Sequence, residues 1–315
     1  MIILKVLKKL YSRIMGKGAS MRNWTAFSNK EYSNTLITDL LKSDKPCMIS
    51  RIGSTELLCL KNYISVKSES QKSSIEYIKG NRGAWWWEKS ILQQMKNWSG
   101  FFPSTEENLE KFSQLMIQDL SSIDLLGSWL IDEEIFAEEL KQADRVILED
   151  LEPFFTNQPW TWALEGKKVL VVHPFEEEIK NQFDKRKDIF TNELLPDFEL
   201  ITLKAVQSLG GDNDSFSSWF DALEFMKEQI SAVDFDVCII GCGAYGLPLA
   251  AHVKRIGKKA VHLGGVTQLL FGIKGKRWEN YIVWPYMNLF NEHWIRPGEA
   301  NKPNSSDKVE ENCYW

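Results

Sequence analysis

The stretch from Phe235 to Gly265, FDVCIIGCGAYGLPLAAHVKRIGKKAVHLGG, constrains the fold more than any other, because it reads as strand, glycine turn, helix and second strand. Val237, Cys238, Ile239 and Ile240 form the short continuous apolar run of a strand covered on both faces. Gly241, Gly243 and Gly246 follow at once, with the spacing of a dinucleotide fingerprint. Pro248 suits the first turn of a helix, where its missing N–H is not needed, and Gly257 closes that helix before the strand Ala260 to Leu263. The fingerprint also wants an acid about 20 residues on, at the end of the second strand, to hold a ribose hydroxyl. Here that strand ends in His262, Leu263, Gly264 and Gly265, with no carboxylate, so NAD is not expected. Two readings stay open: the glycines pack a helix against a sheet, or they make room for another phosphorylated ligand.

Upstream, the same alternation repeats. Val169 to Val172 is a buried strand with His173 and Pro174 at its end, and a helix rich in Glu, Lys and Arg is expected from Phe175 to Phe190. Phe198 to Val206 is strand-like, ending at Gln207 and Ser208, before an amphipathic helix from Phe216 to Ile230. Strands alternating with helices predict an α/β fold, a Rossmann-like and mostly parallel sheet with helices on both faces. His173, Ser208, Gly243 and His262 would then project along one edge of it.

Nearer the start, a helix from Glu31 to Leu41 precedes a strand, Cys47 to Ser50, which runs into the tight turn Arg51, Ile52, Gly53, Ser54, Thr55, Glu56 and a helix over Leu57 to Ile64. Ser54 as an N-cap and Glu56 as a first-turn anion would explain that turn structurally. An arginine and a carboxylate at a strand's carboxyl end are also where open α/β sheets place ligand contacts. Asp124 to Trp129 reads as a surface turn, and Asp132 to Glu139 as a solvated helix face. Arg145 to Leu148 is a strand candidate ending in Glu149, Asp150 and Glu152, which suit a solvated loop or, alternatively, a metal.

The first 22 residues carry Lys5, Lys8, Lys9, Arg13, Lys17 and Arg22 without an acid, while Ile3, Leu7, Leu10 and Ile14 recur at helical spacing. That segment is too short to span a bilayer and reads as a peripheral anchor on anionic lipid, as a helix docked on the domain or as a frayed terminus. After Gly265 comes the cation cluster Lys274, Lys276 and Arg277, then an aromatic, irregular tail that could cover the strand ends. The organisation expected is thus a basic helix over 1–22, an α/β domain over 23–265 and a tail over 266–315 packed on it.

A net charge of −5 argues against a nucleic-acid groove as the main business of the fold. Five cysteines, odd in number and without a CxxC pair, fit a reduced, cytoplasmic setting. The 13 tryptophans are the anomaly, clustered at Trp85 to Trp87 and at Trp160 and Trp162; each fills core or offers a flat face to a sugar or a large partner.

The turn SRIGSTE at Ser50 to Glu56 resembles the RxGDGE element of the GT-D type glycosyltransferases, and Ile240 to Gly265 is similar to their glycine turn and the strand after it. The resemblance covers most of residues 45 to 265. It implies transfer of a sugar from a nucleotide diphosphate sugar, typically a UDP-sugar, to a glycan or lipid-linked acceptor, with a divalent metal, Mn or Mg, bridging the diphosphate. Arg51 and Gly53 match the motif directly, and Glu56 stands at the metal-binding glutamate. Ser54 replaces the aspartate, which weakens a hard-cation site. In the second motif Gly241 and Gly243 match, while Ala244 stands where a proline is expected. The donor site so implied comprises Arg51, Gly53, Ser54, Ser208, Gly241, Gly243, Tyr245, Gly246, His262, Gly264, Lys274 and Arg277. Arg51 and Glu56 are the catalytic candidates, and Glu149, Asp150, His173 and His262 the candidates for a base. A nucleotide- or NAD-dependent enzyme, or a non-catalytic member of the same fold that binds sugar nucleotides, remains the alternative.

Overall fold

The computed structural model describes residues 2–15, 29–68, 72–208, 215–279, 285–298, 302 and 314. The apolar runs form seven strands: β1 (Cys47–Arg51), β2 (Leu125–Ser128), β3 (Asp144–Ile147), β4 (Lys168–His173), β5 (Glu199–Lys204), β6 (Val237–Ile240) and β7 (Lys259–His262). All pair in parallel in a single sheet, in the order β3-β2-β1-β7-β6-β4-β5. Two helices, α1 (Ile2–Met15) and α2 (Lys30–Lys42), precede it. Between β1 and β2 lie α3 (Ser54–Lys67), α4 (Ser74–Lys79), α5 (Lys89–Asn97) and α6 (Glu106–Leu120). The pair α7 (Glu176–Phe183) and α8 (Arg186–Ile189) joins β4 to β5, α9 (Trp219–Ser231) joins β5 to β6, α10 (Gly246–Arg255) joins β6 to β7, and α11 (Lys276–Glu279) follows. The fold is α/β and Rossmann-like. Among the described residues no helix is long and apolar enough to cross a membrane.

Side chains alternate along a strand, so a sheet covered on both faces needs apolar residues at every position. Met48, Leu126, Leu170, Val172, Cys238, Ile240 and Ala260 bury under α3, α5, α6, α9 and α10. Their strand neighbours Cys47, Ile49, Leu125, Val169, Val171, Val237, Ile239 and Val261 bury on the other face, with α2, α7 and residues 263–273. Connections moving towards β3 cross the first face and those moving towards β5 cross the second, as a uniform crossover hand requires. The chain therefore leaves the neighbours β4 and β6 to opposite faces, and likewise β1 and β7. Such divergence opens a crevice at the carboxyl ends of the strands.

Four local expectations need correction. Leu125 to Ser128, read as part of a surface turn, is a fully buried strand inside the sheet. Four residues with a glycine among them give too short an apolar signal, and that glycine is there for packing: a Cβ on Gly127 would lie 2.4 Å from Cδ1 of Leu151. The acidic run after it is not wholly solvated, since Glu133 is buried and accepts from the Ser128 hydroxyl and from the Trp129 and Leu130 amides. Ser54 is not the cap of α3: Gly53 holds that position, without a side-chain bond, and Ser54 is the first helical residue. The helix expected over Phe175 to Phe190 is broken in two, with the Arg186 guanidinium donating to the Phe183 carbonyl at the break (3.0 Å).

Candidate active site

The carboxyl ends of the central strands open on a cavity of about 400 Å³, the size of a small-molecule site. Its walls bring together the Arg51–Glu56 turn and the Gly241–Tyr245 turn, along with Glu149, His173, Ser208, His262, Gly264 and Arg277. Three of the residues proposed from sequence do not line it. Gly246 lies behind the wall, Asp150 is buried with its carboxylate accepting from Ser33 on α2 (2.8 Å), and the Lys274 ammonium lies 5.8 Å from the centre of the Phe290 ring.

Arg51 ends β1. Its guanidinium faces the Trp129 ring, 5.3 Å from the centroid, and Nη2 donates to the Ile52 carbonyl at 3.1 Å. Trp129 is held in turn by its indole N–H on the same carbonyl (2.9 Å). Burial lowers the pKa of Arg51 and the Glu56 carboxylate opposes this, but a guanidinium stays charged at any physiological pH. Its buried Nε has no hydrogen-bond partner among the described residues. Glu56 folds back over the start of its own helix, where the macrodipole favours an anion: a Cβ on Gly53 would lie 1.7 Å from Oε2.

The second turn carries no charge but is tightly fitted. A Cβ on Gly241 would meet Oγ1 of Thr267 at 2.6 Å and the Gly264 carbonyl at 2.7 Å. Gly243, at φ +57°, adopts the left-handed conformation that favours glycine and faces open space. Gly246 receives the His262 imidazole, whose Nε2 would be 2.1 Å from an added Cβ. The other ring nitrogen of His262 shares a hydrogen bond with the Ser50 hydroxyl at 2.9 Å, which ties β7 to β1. Gly264 completes the junction, because a Cβ there would approach Nη1 of Arg51 to 3.0 Å. The two turns, distant in sequence, are thus locked together through His262 and Gly264.

The histidines are poor bases in this setting. Burial, reinforced at His262 by Arg51, lowers both pKa values to about 3, so both rings are neutral. Nδ1 of His173 accepts from the Phe175 amide (3.0 Å), which leaves the ring proton on Nε2 and makes the ring a donor. Ser208 and Tyr245 serve the wall: the serine hydroxyl donates to the Gly100 carbonyl (2.7 Å) and meets the tyrosine hydroxyl (2.9 Å), while the Tyr245 ring stacks on Trp219 at 5.0 Å. Close enough to Arg51 to act on its charge, Arg277 lies over the Tyr314 ring, 5.1 Å from its centre, and Nη1 donates to the Tyr314 hydroxyl (3.1 Å). The tail thereby reaches the cavity, with Tyr314 against Gly265.

Sequence reasoning missed three wall residues. Glu152, which it read as part of a solvated loop or as an oxygen donor to a metal, is instead buried, 9% exposed, and its two carboxylate oxygens meet the Tyr286 hydroxyl at 2.8 and 2.7 Å. Burial pushes its pKa up to about 8, against the pull of Lys30. Ser99, in the aromatic loop after α5, is buried with a hydroxyl that has no partner among the described residues. No local signal marks Ser99 or Tyr286; the acids after β3 marked Glu152 as a residue at a strand end.

Among the described residues no group of three or more His, Cys, Asp or Glu is placed to hold a metal ion. A divalent ion would find one carboxylate, Glu56, and one neutral hydroxyl, Ser54, in the first turn of α3, a donor set that does not fit a protein-made hard-cation cage. The four described cysteines are free and buried, and burial raises the pKa of Cys238 and Cys242, as expected of inert core thiols. In comparisons with known proteins, no family model, no curated protein and no solved structure matches the chain.

Proposed function

We propose that the protein is a glycosyltransferase that moves a sugar from a nucleotide diphosphate sugar, a UDP-sugar, to the hydroxyl of a glycan or lipid-linked acceptor. The observation that carries this reading is the meeting of the Arg51–Glu56 and Gly241–Tyr245 turns in one cavity. Breaking the sugar–phosphate bond leaves negative charge on the departing diphosphate, and catalysis depends on groups already oriented towards it. Arg51 and Arg277 supply two neighbouring cations in the wall, and the turn at Gly243 brings backbone close without a side chain in the way. The orphaned Nε of Arg51 and hydroxyl of Ser99 are buried polar groups of the kind a ligand satisfies. Trp129, Trp278 and Tyr314 offer flat faces for a base or a sugar ring.

The acceptor hydroxyl must lose a proton as it attacks. Glu152 is the wall carboxylate best suited to take it, because a base works best when its pKa lies near the working pH. The Tyr286 hydroxyl orients both carboxylate oxygens. No step is assigned to a metal, because the donor set around Glu56 does not make a site by itself.

Calorimetric titration with UDP and a panel of UDP-sugars, with and without Mn, tests the reading. Binding of a UDP-sugar that survives a chelator is expected, and absence of binding to every nucleotide sugar overturns it. NADH fluorescence in the same preparation is the control for a dinucleotide enzyme, and tight binding there would favour that class instead. A non-catalytic sugar-nucleotide module is the second reading, favoured by Ser54 at the metal-binding aspartate position; release of free UDP on turnover excludes it.

A further inference from the structure

We propose that α1 seats the protein on an anionic lipid surface, with the helix lying in the membrane interface and the α/β domain held above it. The helix is attached to the domain on one side only. Lys5 pairs with Glu88 (3.4 Å), the Lys8 ammonium lies 4.4 Å over the Tyr77 ring, and Leu4 and Tyr11 are half-buried on the same side. No residue of α1 is buried.

The opposite side is apolar. Ile3, Val6, Leu7, Leu10 and Ile14 follow the i, i+3, i+4, i+7 spacing of one helix face, and they are 74, 60, 41, 53 and 72% exposed. On α4, which packs against α1, Ile75 is 65% exposed. An aliphatic stripe of this length facing outward needs an apolar partner. At 14 residues α1 is too short to span a hydrocarbon core, which takes about 20.

Charge selects the partner. Lys9 and Arg13 flank the stripe, are exposed, and have no side-chain partner among the described residues. The chain has no acid before Glu31. A second copy of the chain meeting this face would set these cations against their own counterparts. Anionic headgroups complement them while the acyl region takes the stripe, as in interfacial amphipathic helices.

The test uses the full chain in co-sedimentation with vesicles of phosphatidylcholine alone or mixed with phosphatidylserine, in low and high salt. Wild type is expected to sediment with the mixed vesicles, more weakly as salt rises, and far less with the neutral ones. Leu7→Glu/Leu10→Glu removes the stripe, and Lys9→Glu/Arg13→Glu reverses the flank. Each pair should weaken binding about tenfold or more, from the apolar transfer lost in one case and the charge in the other. All four side chains are exposed, so the thermal melt of both variants should match wild type. The proposal is overturned if wild type does not sediment with mixed vesicles, if it binds neutral vesicles equally well, or if the Leu7→Glu/Leu10→Glu protein binds as tightly as wild type. It is also overturned if wild type forms a dimer that this variant loses while neither binds lipid.

Discussion

The two turns that meet at the cavity divide its work. The Arg51–Glu56 turn carries both signs of charge, holds no glycine at positive φ, and keeps its arginine over an aromatic ring. The Gly241–Gly246 turn has no charged side chain, is almost wholly buried, and needs Gly243 at positive φ. One turn supplies charge and the other supplies close backbone and space. Their shared seam, His262 on Ser50 and Gly264 beneath Arg51, shows that neither is placed without the other. Changes to the first turn should therefore act on ligand binding and chemistry, and changes to the second on the fold around it.

The largest effect lies outside both turns, where the proton goes. Glu152→Gln should lower the transfer rate about 10²- to 10⁴-fold, while calorimetry shows donor binding intact. The wild-type rate should climb as pH rises towards about 8, and the variant should lose that climb. On the charged turn, Arg51→Lys keeps a cation but loses the planar fork, and should weaken donor binding roughly ten- to a hundredfold with little change in melting. An equal loss of stability would show that Arg51 serves the fold instead. On the glycine turn the balance should reverse. Gly246→Val drives methyl groups into the His262 ring and should cost about 2 kcal/mol by denaturant unfolding.

The buried histidines make the fold sensitive to acid. His173 and His262 take up protons only near pH 3 in the folded chain, whereas an unfolded histidine does so near 6.5. The unfolded state therefore binds more protons between those values. The stability present above pH 6.5 is lost as pH falls towards 3, by about 1.4 kcal/mol per pH unit for each ring. Glu152, with its raised pKa, works in the opposite sense over the same range, so the check is a comparison of pH slopes: a His262→Gln protein whose melting falls from pH 7 to 5 as steeply as wild type would contradict this account. The smallest effect belongs to Gly243→Ala, where a Cβ meets nothing but the backbone prefers glycine, for about 1 kcal/mol.

Much of this was legible because strands that are buried on both faces announce themselves. β4 and β6 are unbroken apolar runs, and the residues after each run, His173 and Gly241, had to fall at the carboxyl edge whatever the strand order. β2 escaped because Leu125 to Ser128 is too short to show a pattern, and its glycine has meaning only beside Leu151. Ser54 looked like a cap by residue type, but the preceding glycine already turns the chain into α3.

By itself the sequence determined the local chemistry: a glycine turn after a buried strand, an arginine and a glutamate after another, and a basic helix with an aliphatic face. These are properties of neighbours along the chain, fixed by backbone preference and side-chain period. Only the tertiary structure decided which of the strand ends meet. The order of the strands set β7 between β1 and β6, so that His262 reaches Ser50 and Gly246 together, and long connections brought Glu152 and Tyr286 to the same cavity. The burial that raises the pKa of Glu152 and silences the histidines is a property of that assembly, because desolvation depends on what surrounds a group in space and not on its neighbours in sequence.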